Sequence, residues 1–378
     1  MSEETKRITF IIGNGFDRKY KLKTAYDHFL DDYLEIPSAN ERVAAFKEMI
    51  RSEKDAHGYG NWSDLERQMG RYEPNTLDEF LECYDDMVDA MADYLRRTVE
   101  ENIGLDADDL EKIPHFADGF LHFLICLLRK EQSDSSELAE LRSNLAVDRN
   151  RFDFILLNYT PILSDCIALL SRAEQRRKPF EGEEKVIFGD ILQPHGDLDH
   201  IVFGVSDLSQ ASPRFAKEWE YRRRMIKSER IKDLGMDWLE AGERMIRESR
   251  LIAIYGTSLG ETDDHWWRMV SERLSEAEDC FAILYYLLPD REDLSLEENA
   301  ALKERKGREL LDHLLSFAPD HPEIEHRIKI VFDAQKFLET FVFVEAKIDL
   351  PQLEMRCEME LASPTEAKTI LISDRKEE

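Results

Sequence analysis

Two side chains in this sequence are well suited to chemistry, Asn158 and His195. Asn158 ends the apolar run FDFILLN, and His195 lies in the motif QPHGD. The Asn158 amide both donates and accepts hydrogen bonds, so it could hold a ribose hydroxyl and a water molecule together. A histidine can act as a general base at neutral pH. The alternatives are that Asn158 caps or turns the backbone before Pro161, and that His195 is a hydrogen-bonded loop histidine.

A glycine turn, GNGFD, follows another apolar run and could bind phosphate. Glycines let the backbone approach an anion, and a following helix N-terminus offers free N–H groups with positive dipole character. The predicted binding residues are Gly13, Asn14, Gly15, Phe16 and Asp17. The full G-x-G-x-x-G dinucleotide pattern is absent, because Arg18 stands in the third glycine position. The alternative is a tight turn that uses glycine for a positive φ angle.

A second glycine turn follows the run LIAIY and carries two hydroxyl groups. A glycine and hydroxyls at a helix start can bind phosphate or ribose. The predicted binding residues here are Gly256, Thr257, Ser258 and Asp263, joined by Tyr159 and Thr160 beside Asn158. The alternatives are that Thr257 or Ser258 is an ordinary N-cap and that Asp263 complements the helix dipole.

The elements that must position these residues are short apolar strands that alternate with helices. The runs that predict strands are residues 7–12, 152–158, 185–191, 200–205, 251–256, 280–288 and 327–332. Helical patterns cover residues 24–130, 213–250, 261–275 and 294–317. Such alternation implies crossover connections, so we predict an α/β fold with a Rossmann-like parallel sheet flanked by helices. The candidate residues follow strand ends, where ligands of these sheets bind.

The charge distribution predicts a large acidic helical insertion after the first strand. The chain has 378 residues, of which 80 are acidic and 51 basic, and its net charge is −29. Residues 25–112 contain 24 acidic and 9 basic residues, about half of the excess. We therefore predict a nucleotide-binding core at 1–24 and 151–350, a helical insertion at 25–150, and a partly disordered C-terminal segment at 351–378. The basic helix 213–233 is interpreted as a solvated face balanced against the acidic insertion.

Several classes of protein are disfavoured by these patterns. The negative charge opposes bulk nucleic acid and anionic membranes, but it says little against one small nucleotide held by backbone N–H groups. A nuclease would need an acidic metal cluster, which we do not find in the sequence. The five cysteines are scattered and have no zinc-ligand spacing, so we expect reduced thiols and no zinc. We find neither a leader peptide nor a membrane span, and we predict a cytoplasmic protein.

Several motifs, taken in order, resemble those of the AbiH family of bacterial abortive-infection proteins. They are IIGNGFDRKYKLKTAYDHF from residue 11, NWSDLE from residue 61, LLNYT from residue 156, His195-Gly196 with the following IVFGVSD, and YGTSLGETD from residue 255. The resemblance covers roughly the first 290 residues. It implies a defence against phage. A homo-oligomer or a partner protein of a defence system would be compatible with that role.

The same order of motifs is similar, more distantly, to sirtuin-like NAD-consuming domains. That resemblance implies that the first glycine turn binds dinucleotide phosphates and that the second turn binds the nucleotide. It also implies that Asn158 and His195 are the catalytic pair. Thr160 stands where the sirtuin-like motif has an aspartate, so Asp17 is a candidate replacement carboxylate. The zinc-binding cysteine pairs of the deacetylases are absent, which favours hydrolysis of NAD over protein deacetylation.

The resulting hypothesis is an effector that hydrolyses NAD to ADP-ribose and nicotinamide. His195 would act as the base on a ribose hydroxyl or water, and Asn158 would position that group. NAD would be the substrate, and no other cofactor is expected. The alternative is a non-catalytic module that senses a nucleotide. We interpret Glu66 as the second half of a capping box with Ser63. The family resemblance also leaves open a contact between the insertion and the site at this residue.

Overall fold

The computed structural model describes residues 5–19, 22–58, 64–103, 150–165, 167–168, 171, 187–286, 288 and 295–332. The predicted C-terminal segment and residues 104–149 of the predicted insertion lie outside this part of the chain. No helix in the described residues is long and apolar enough to cross a membrane.

A six-stranded, wholly parallel sheet forms the centre of the molecule, and it confirms the predicted α/β fold. Its strands are β1 (Lys6–Ile12), β2 (Asn150–Leu156), β3 (Ile187–Leu192), β4 (Ser249–Tyr255), β5 (Phe281–Tyr286) and β6 (Ile328–Phe332). Their order across the sheet is β3-β2-β1-β4-β5-β6. From β1 the chain adds β2 and β3 on one side of the sheet and then returns to add β4, β5 and β6 on the other side. Open α/β sheets bind ligands at such a switch point, which here lies between β1 and β4.

The central strands are apolar on both faces because both faces of the sheet are covered. In β1, Ile8, Phe10 and Ile12 belong to one buried cluster. Ile11, between them, belongs to a second cluster on the opposite face, which also contains Trp266. A parallel strand buried on both sides reads as a continuous apolar run, and this explains why these strands are visible in the sequence.

The α-helices whose bounds are defined in the described part of the chain fall into two groups. Those before β2 are α1 (Gly15–Lys19), α2 (Tyr26–Glu35), α3 (Glu41–His57), α4 (Leu65–Arg71) and α5 (Leu77–Ile103). Those after β3 are α6 (Trp219–Met225), α7 (Lys227–Asp233), α8 (Trp238–Arg247), α9 (Asp264–Glu276) and α10 (Leu296–Leu315). The continuous helix predicted at 213–250 is therefore wrong. Three short helices occupy this region, and its last two residues already belong to β4.

The strand predicted at residues 200–205 is also wrong. This segment forms only one isolated bridge, between Val205 and Ile226. Ile201, Phe203 and Val205 instead pack into a third buried cluster with the helices of the insertion. Gly204 has a φ angle of 153° and lies so close to Met225 that a Cβ atom would come 2.2 Å from the Met225 carbonyl oxygen. The apolar run is thus an irregular segment that seats the insertion.

Helices α2 to α5 form the described part of the acidic helical insertion, and they pack against residues 201–226. Tyr84 on α5 donates hydrogen bonds to the carbonyl oxygens of Phe203 (2.8 Å) and Arg224 (2.9 Å). The Arg224 guanidinium in turn contacts Asp85 of α5 at 2.9 Å. This pair agrees with the interpretation that the basic helix region balances the acidic insertion.

Candidate functional site

The two glycine turns meet at the switch point of the sheet and bind each other. The Gly13 N–H donates to the Tyr255 carbonyl at 2.8 Å, and the Gly15 N–H donates to the Gly256 carbonyl at 2.7 Å. A Cβ atom on Gly15 would lie 2.4 Å from the Gly256 Cα atom, and Gly256 has a φ angle of +68°. Close backbone approach therefore requires these glycines. The N–H groups of Gly13 and Gly15 are engaged and are not directed at a ligand.

The other residues of these turns form hydrogen bonds with nearby residues or pack into the core. The Asn14 amide donates to the Thr24 carbonyl at 2.8 Å and accepts from the Thr24 hydroxyl at 2.6 Å. Phe16 is buried in the core. The Thr257 hydroxyl accepts from the Leu259 N–H at 3.2 Å. Ser258 is exposed, and α9 begins only at Asp264, so neither hydroxyl residue is its N-cap.

Asp17, Asn158 and Thr160 form one buried network beneath the first turn. Asp17 accepts from the Asn158 amide nitrogen at 3.2 Å and from the Thr160 hydroxyl at 2.7 Å. Burial raises the Asp17 pKa to about 7, and the two hydrogen bonds only partly oppose that rise. The Asn158 Oδ1 atom is buried and has no hydrogen-bond partner in the described part of the chain. It is an unpaired acceptor within the core, and Asn158 itself is 1% exposed.

His195 lies in a different network, where it pairs with Asp263. Its Nε2 atom is 2.8 Å from Asp263 Oδ1, and the imidazole is 7% exposed. The loop after β3 supplies His195, and the turn between β4 and α9 supplies Asp263. A carboxylate at this distance holds the imidazole proton on Nε2, which leaves Nδ1 as the nitrogen that can accept a proton. Positioning of a histidine by a carboxylate is the usual arrangement for general-base catalysis.

Lys227 and Glu66 complete this network, and neither was predicted as a site residue from the sequence. Lys227, at the start of α7, contacts Asp263 Oδ1 at 2.8 Å and Glu66 Oε2 at 2.9 Å. Glu66 lies on α4 and is 4% exposed. The interpretation of Glu66 as a capping residue is wrong, because Asp64 caps α4 by accepting from the Arg67 N–H at 3.2 Å. The sequence signal for a role of Glu66 at the site was its position in the NWSDLE motif.

Opposite charges keep this network ionised despite its burial. Burial disfavours the charge of Asp263, but the attraction of Lys227 and His195 outweighs it and lowers the Asp263 pKa. Burial likewise opposes the ammonium of Lys227, yet Asp263 and Glu66 together raise its pKa. The network therefore contains one ammonium and two carboxylates around the imidazole.

Tyr159 connects the two networks along the chain. Its hydroxyl contacts Glu66 Oε1 at 3.3 Å. Its ring centroid lies 5.7 Å from that of His195. The neighbouring residue, Asn158, is bonded to Asp17 instead. The two predicted catalytic residues thus lie in separate hydrogen-bond networks that Tyr159 joins.

A pocket of about 210 Å³ opens beside the second network. His195, Lys227, Asp263, Thr262, His265 and Trp266 contribute to its wall. Its volume is below the range of roughly 300–1,000 Å³ that is usual for sites that enclose a whole small-molecule ligand. The pocket is therefore too small to enclose an entire dinucleotide. In the described residues, no group of three histidine, cysteine or acidic side chains is arranged to hold a metal ion.

Comparison with known proteins gave one family match. The family model for bacteriophage abortive infection AbiH matches residues 9–285, which is more than half of the chain. Comparison with curated proteins gave no match. The matched range contains both glycine turns and all residues of the two networks. The chain therefore belongs to the AbiH family of bacteriophage abortive-infection proteins.

Proposed function

We propose that this abortive-infection protein hydrolyses NAD to ADP-ribose and nicotinamide. The observation that carries the proposal is the His195–Asp263 pair at 2.8 Å on the wall of a pocket. His195 and Asp263 follow the carboxyl ends of β3 and β4, and this is the edge at which α/β sheets bind nucleotides. Loss of NAD from an infected cell would stop phage replication at the expense of the host, which is the outcome that abortive infection requires.

The proposed reaction needs a base to take one proton from water, and it needs little help from an acid. The water oxygen bonds to the anomeric carbon of the ribose as the bond to the nicotinamide nitrogen breaks. The electron pair of that bond neutralises the pyridinium, so nicotinamide leaves without being protonated. The proton of the water passes to His195 Nδ1 and later to solvent. Asp263 stabilises the imidazolium that forms, as a preorganised charge placed where positive charge develops.

Asn158 supplies the second role in this proposal. Its buried Oδ1 accepts a hydrogen bond from the attacking water or from a ribose hydroxyl. Its amide nitrogen is held by Asp17, which is in turn held by Thr160. Asp17 thus orients Asn158 instead of binding the ribose itself. Orientation of this kind raises rate by holding the reacting groups in an attack geometry.

The second candidate function is a sensor that binds a nucleotide without cleaving it. The specific observation in its favour is the closure of the two glycine turns on each other, since Gly15 and Gly256 share a 2.7 Å hydrogen bond. Bound phosphates would then contact other groups, and the site would lack the usual dinucleotide cradle. Binding of NAD without release of nicotinamide would favour this alternative.

The direct test follows nicotinamide release from NAD by the purified full chain, with and without lysate of phage-infected cells. We expect turnover by the wild type and a loss of roughly 10²–10⁴-fold in His195→Ala, the range of general-base catalysis. His200→Ala is the matched control, because His200 lies on the same loop but its side chain is 61% exposed. An inactive wild type under both conditions, with a His195→Ala variant that still protects cells, would refute the proposal.

A further inference from the structure

Lys227 Nζ has four hydrogen-bonding neighbours within the network. An ammonium has three donors and no acceptor. The three acceptors nearest to Nζ are Asp263 Oδ1 (2.8 Å), Glu66 Oε2 (2.9 Å) and the Thr262 carbonyl oxygen (3.3 Å). His195 Nε2 is a fourth neighbour, at 3.4 Å. The contact with the imidazole is the longest of the four, and the three shorter contacts can take all three donors of Lys227.

This arrangement supports the assignment of the His195 proton to Nε2, which the Asp263 carboxylate at 2.8 Å already favours. Because Lys227 donates elsewhere, Nε2 keeps its own proton and donates it to Asp263, while Nδ1 stays free to accept. If one acceptor of Lys227 were lost, the freed N–H would turn to Nε2. The imidazole would then carry its proton on Nδ1 and would lose the nitrogen that serves as base.

We infer that Glu66, on the helical insertion, is a positioning residue that fixes the tautomer of His195 by engaging Lys227. Glu66 is the only one of the three acceptors that comes from the insertion. Its second oxygen is itself anchored, by the Tyr159 hydroxyl at 3.3 Å and the Gly204 N–H at 3.5 Å. Seating of α4 on the core therefore completes the base, and the insertion controls the site. The inference rests on the proposed function only for its effect on turnover.

The test reads the tautomer directly in the full chain, without turnover. Long-range ¹H–¹⁵N NMR spectra of ¹⁵N-histidine-labelled protein distinguish a proton on Nε2 from one on Nδ1. We expect Nε2–H in the wild type and Nδ1–H in Glu66→Ala. Glu66→Gln should retain Nε2–H, because its amide oxygen still accepts from Lys227. An unchanged Nε2–H tautomer in Glu66→Ala would overturn the inference, whether or not the protein hydrolyses NAD.

Two further variants separate positioning from folding. Glu73→Ala removes another contact of the insertion, the 2.7 Å hydrogen bond from Ser212, and should leave the tautomer unchanged. The double variant Glu66→Ala/Lys227→Met removes both partners of the ion pair and should restore Nε2–H, because no donor remains. It also tests the inference if Glu66→Ala alone fails to fold. A double variant that carries its proton on Nδ1 would contradict the inference.

Turnover supplies the functional readout. Glu66→Ala should lower kcat for nicotinamide release by roughly 10²–10⁴-fold, as expected for loss of a general base. KM should change little, because Glu66 acts on the base through Lys227 and does not line the pocket. A matching loss in Glu73→Ala would show that loose docking of the insertion, not the tautomer, is responsible.

Discussion

Asp17 and Asp263 lie after neighbouring strands at the same edge of the sheet, but their surroundings give them opposite properties. Asp17 is fully buried among uncharged donors, and its pKa rises to about 7. Asp263 is 14% exposed and faces Lys227 and His195, whose attraction lowers its pKa. Burial alone favours a neutral carboxyl, whereas burial beside the Lys227 ammonium preserves the charge.

The difference assigns different work to the two carboxyl groups. A carboxyl group with a pKa of about 7 is largely uncharged below that pH, so it can hold the Asn158 amide without placing a full negative charge in the core. A permanently ionised carboxylate can hold an imidazole proton and stabilise an imidazolium. Two aspartates that look alike in sequence thus support an orienting residue and a base, respectively. The following predictions test that contrast, from the largest expected effect to the smallest.

Lys227→Met should have the largest effect, because it leaves Glu66 and Asp263 buried without their cation. Breaking a buried ion pair by removing one partner costs about 3–5 kcal/mol. Urea unfolding at pH 7 measures this loss. The control is Arg224→Met, which breaks a pair whose side chains are 27% and 50% exposed. An exposed pair contributes about 0–1 kcal/mol, so equal losses in the two variants would contradict the contrast.

Asp17→Asn should change how stability depends on pH. In the wild type, the unfolded chain loses the Asp17 proton near pH 3.8 and the folded chain near pH 7, so folding stability falls as pH rises between these values. The total loss is roughly 4 kcal/mol and is complete above the folded pKa. The variant lacks this loss, so its stability relative to wild type should rise from pH 4 to pH 7 and then level.

Asp237→Asn is the control for this pH series, because Asp237 is exposed and makes no side-chain capping bond. Its stability difference from wild type should stay nearly constant over the same range. Urea unfolding at each pH supplies both curves. A flat difference for Asp17→Asn would show that Asp17 is ionised in the folded protein, as Asp263 is.

Thr160→Val should have the smallest effect on stability and should shift the Asp17 pKa upward. The Thr160 hydroxyl donates to Asp17 at 2.7 Å and lowers its pKa, so its loss should raise the Asp17 pKa further above about 7. Stability should fall by about 1 kcal/mol. Thr9→Val is the control, since Thr9 is equally buried but its hydroxyl donates to Met245 and accepts from Ser249. It should lose similar stability and leave the upper end of the pH transition where it was.

Much of the fold could be predicted from the sequence because each buried parallel strand is a short apolar run between helical patterns. Residues 200–205 misled this reasoning for a physical reason. An apolar run indicates that its side chains are buried, but it does not indicate what they pack against. Here they pack against a helical insertion and do not form a strand of the sheet. The helix predicted over residues 213–250 is divided in the structure, in part at Gly235, whose φ angle is +71°.

The site was only partly accessible to sequence reasoning. His195 and Asp263 were both singled out, but nothing in the chain shows that residues 68 apart bind each other. Lys227 is one basic residue among many, and its burial depends wholly on the folded arrangement. Glu66 matched a local capping pattern that a tertiary ion pair overrides. Local patterns therefore indicated strand-end residues, whereas the charge network depends on long-range contacts.

The account depends on a neutral Asp17 below pH 7 and an ionised Asp263 beside His195. Carboxyl ¹³C NMR of aspartate-labelled full chain measures both groups at once, with Asp17→Asn and Asp263→Asn to assign the signals. We predict that the Asp17 signal titrates with a midpoint of about 7 and that the Asp263 signal stays ionised throughout the range in which the protein is folded. Titration of Asp263 together with Asp17, or an Asp17 signal that is ionised at pH 5, would contradict the account.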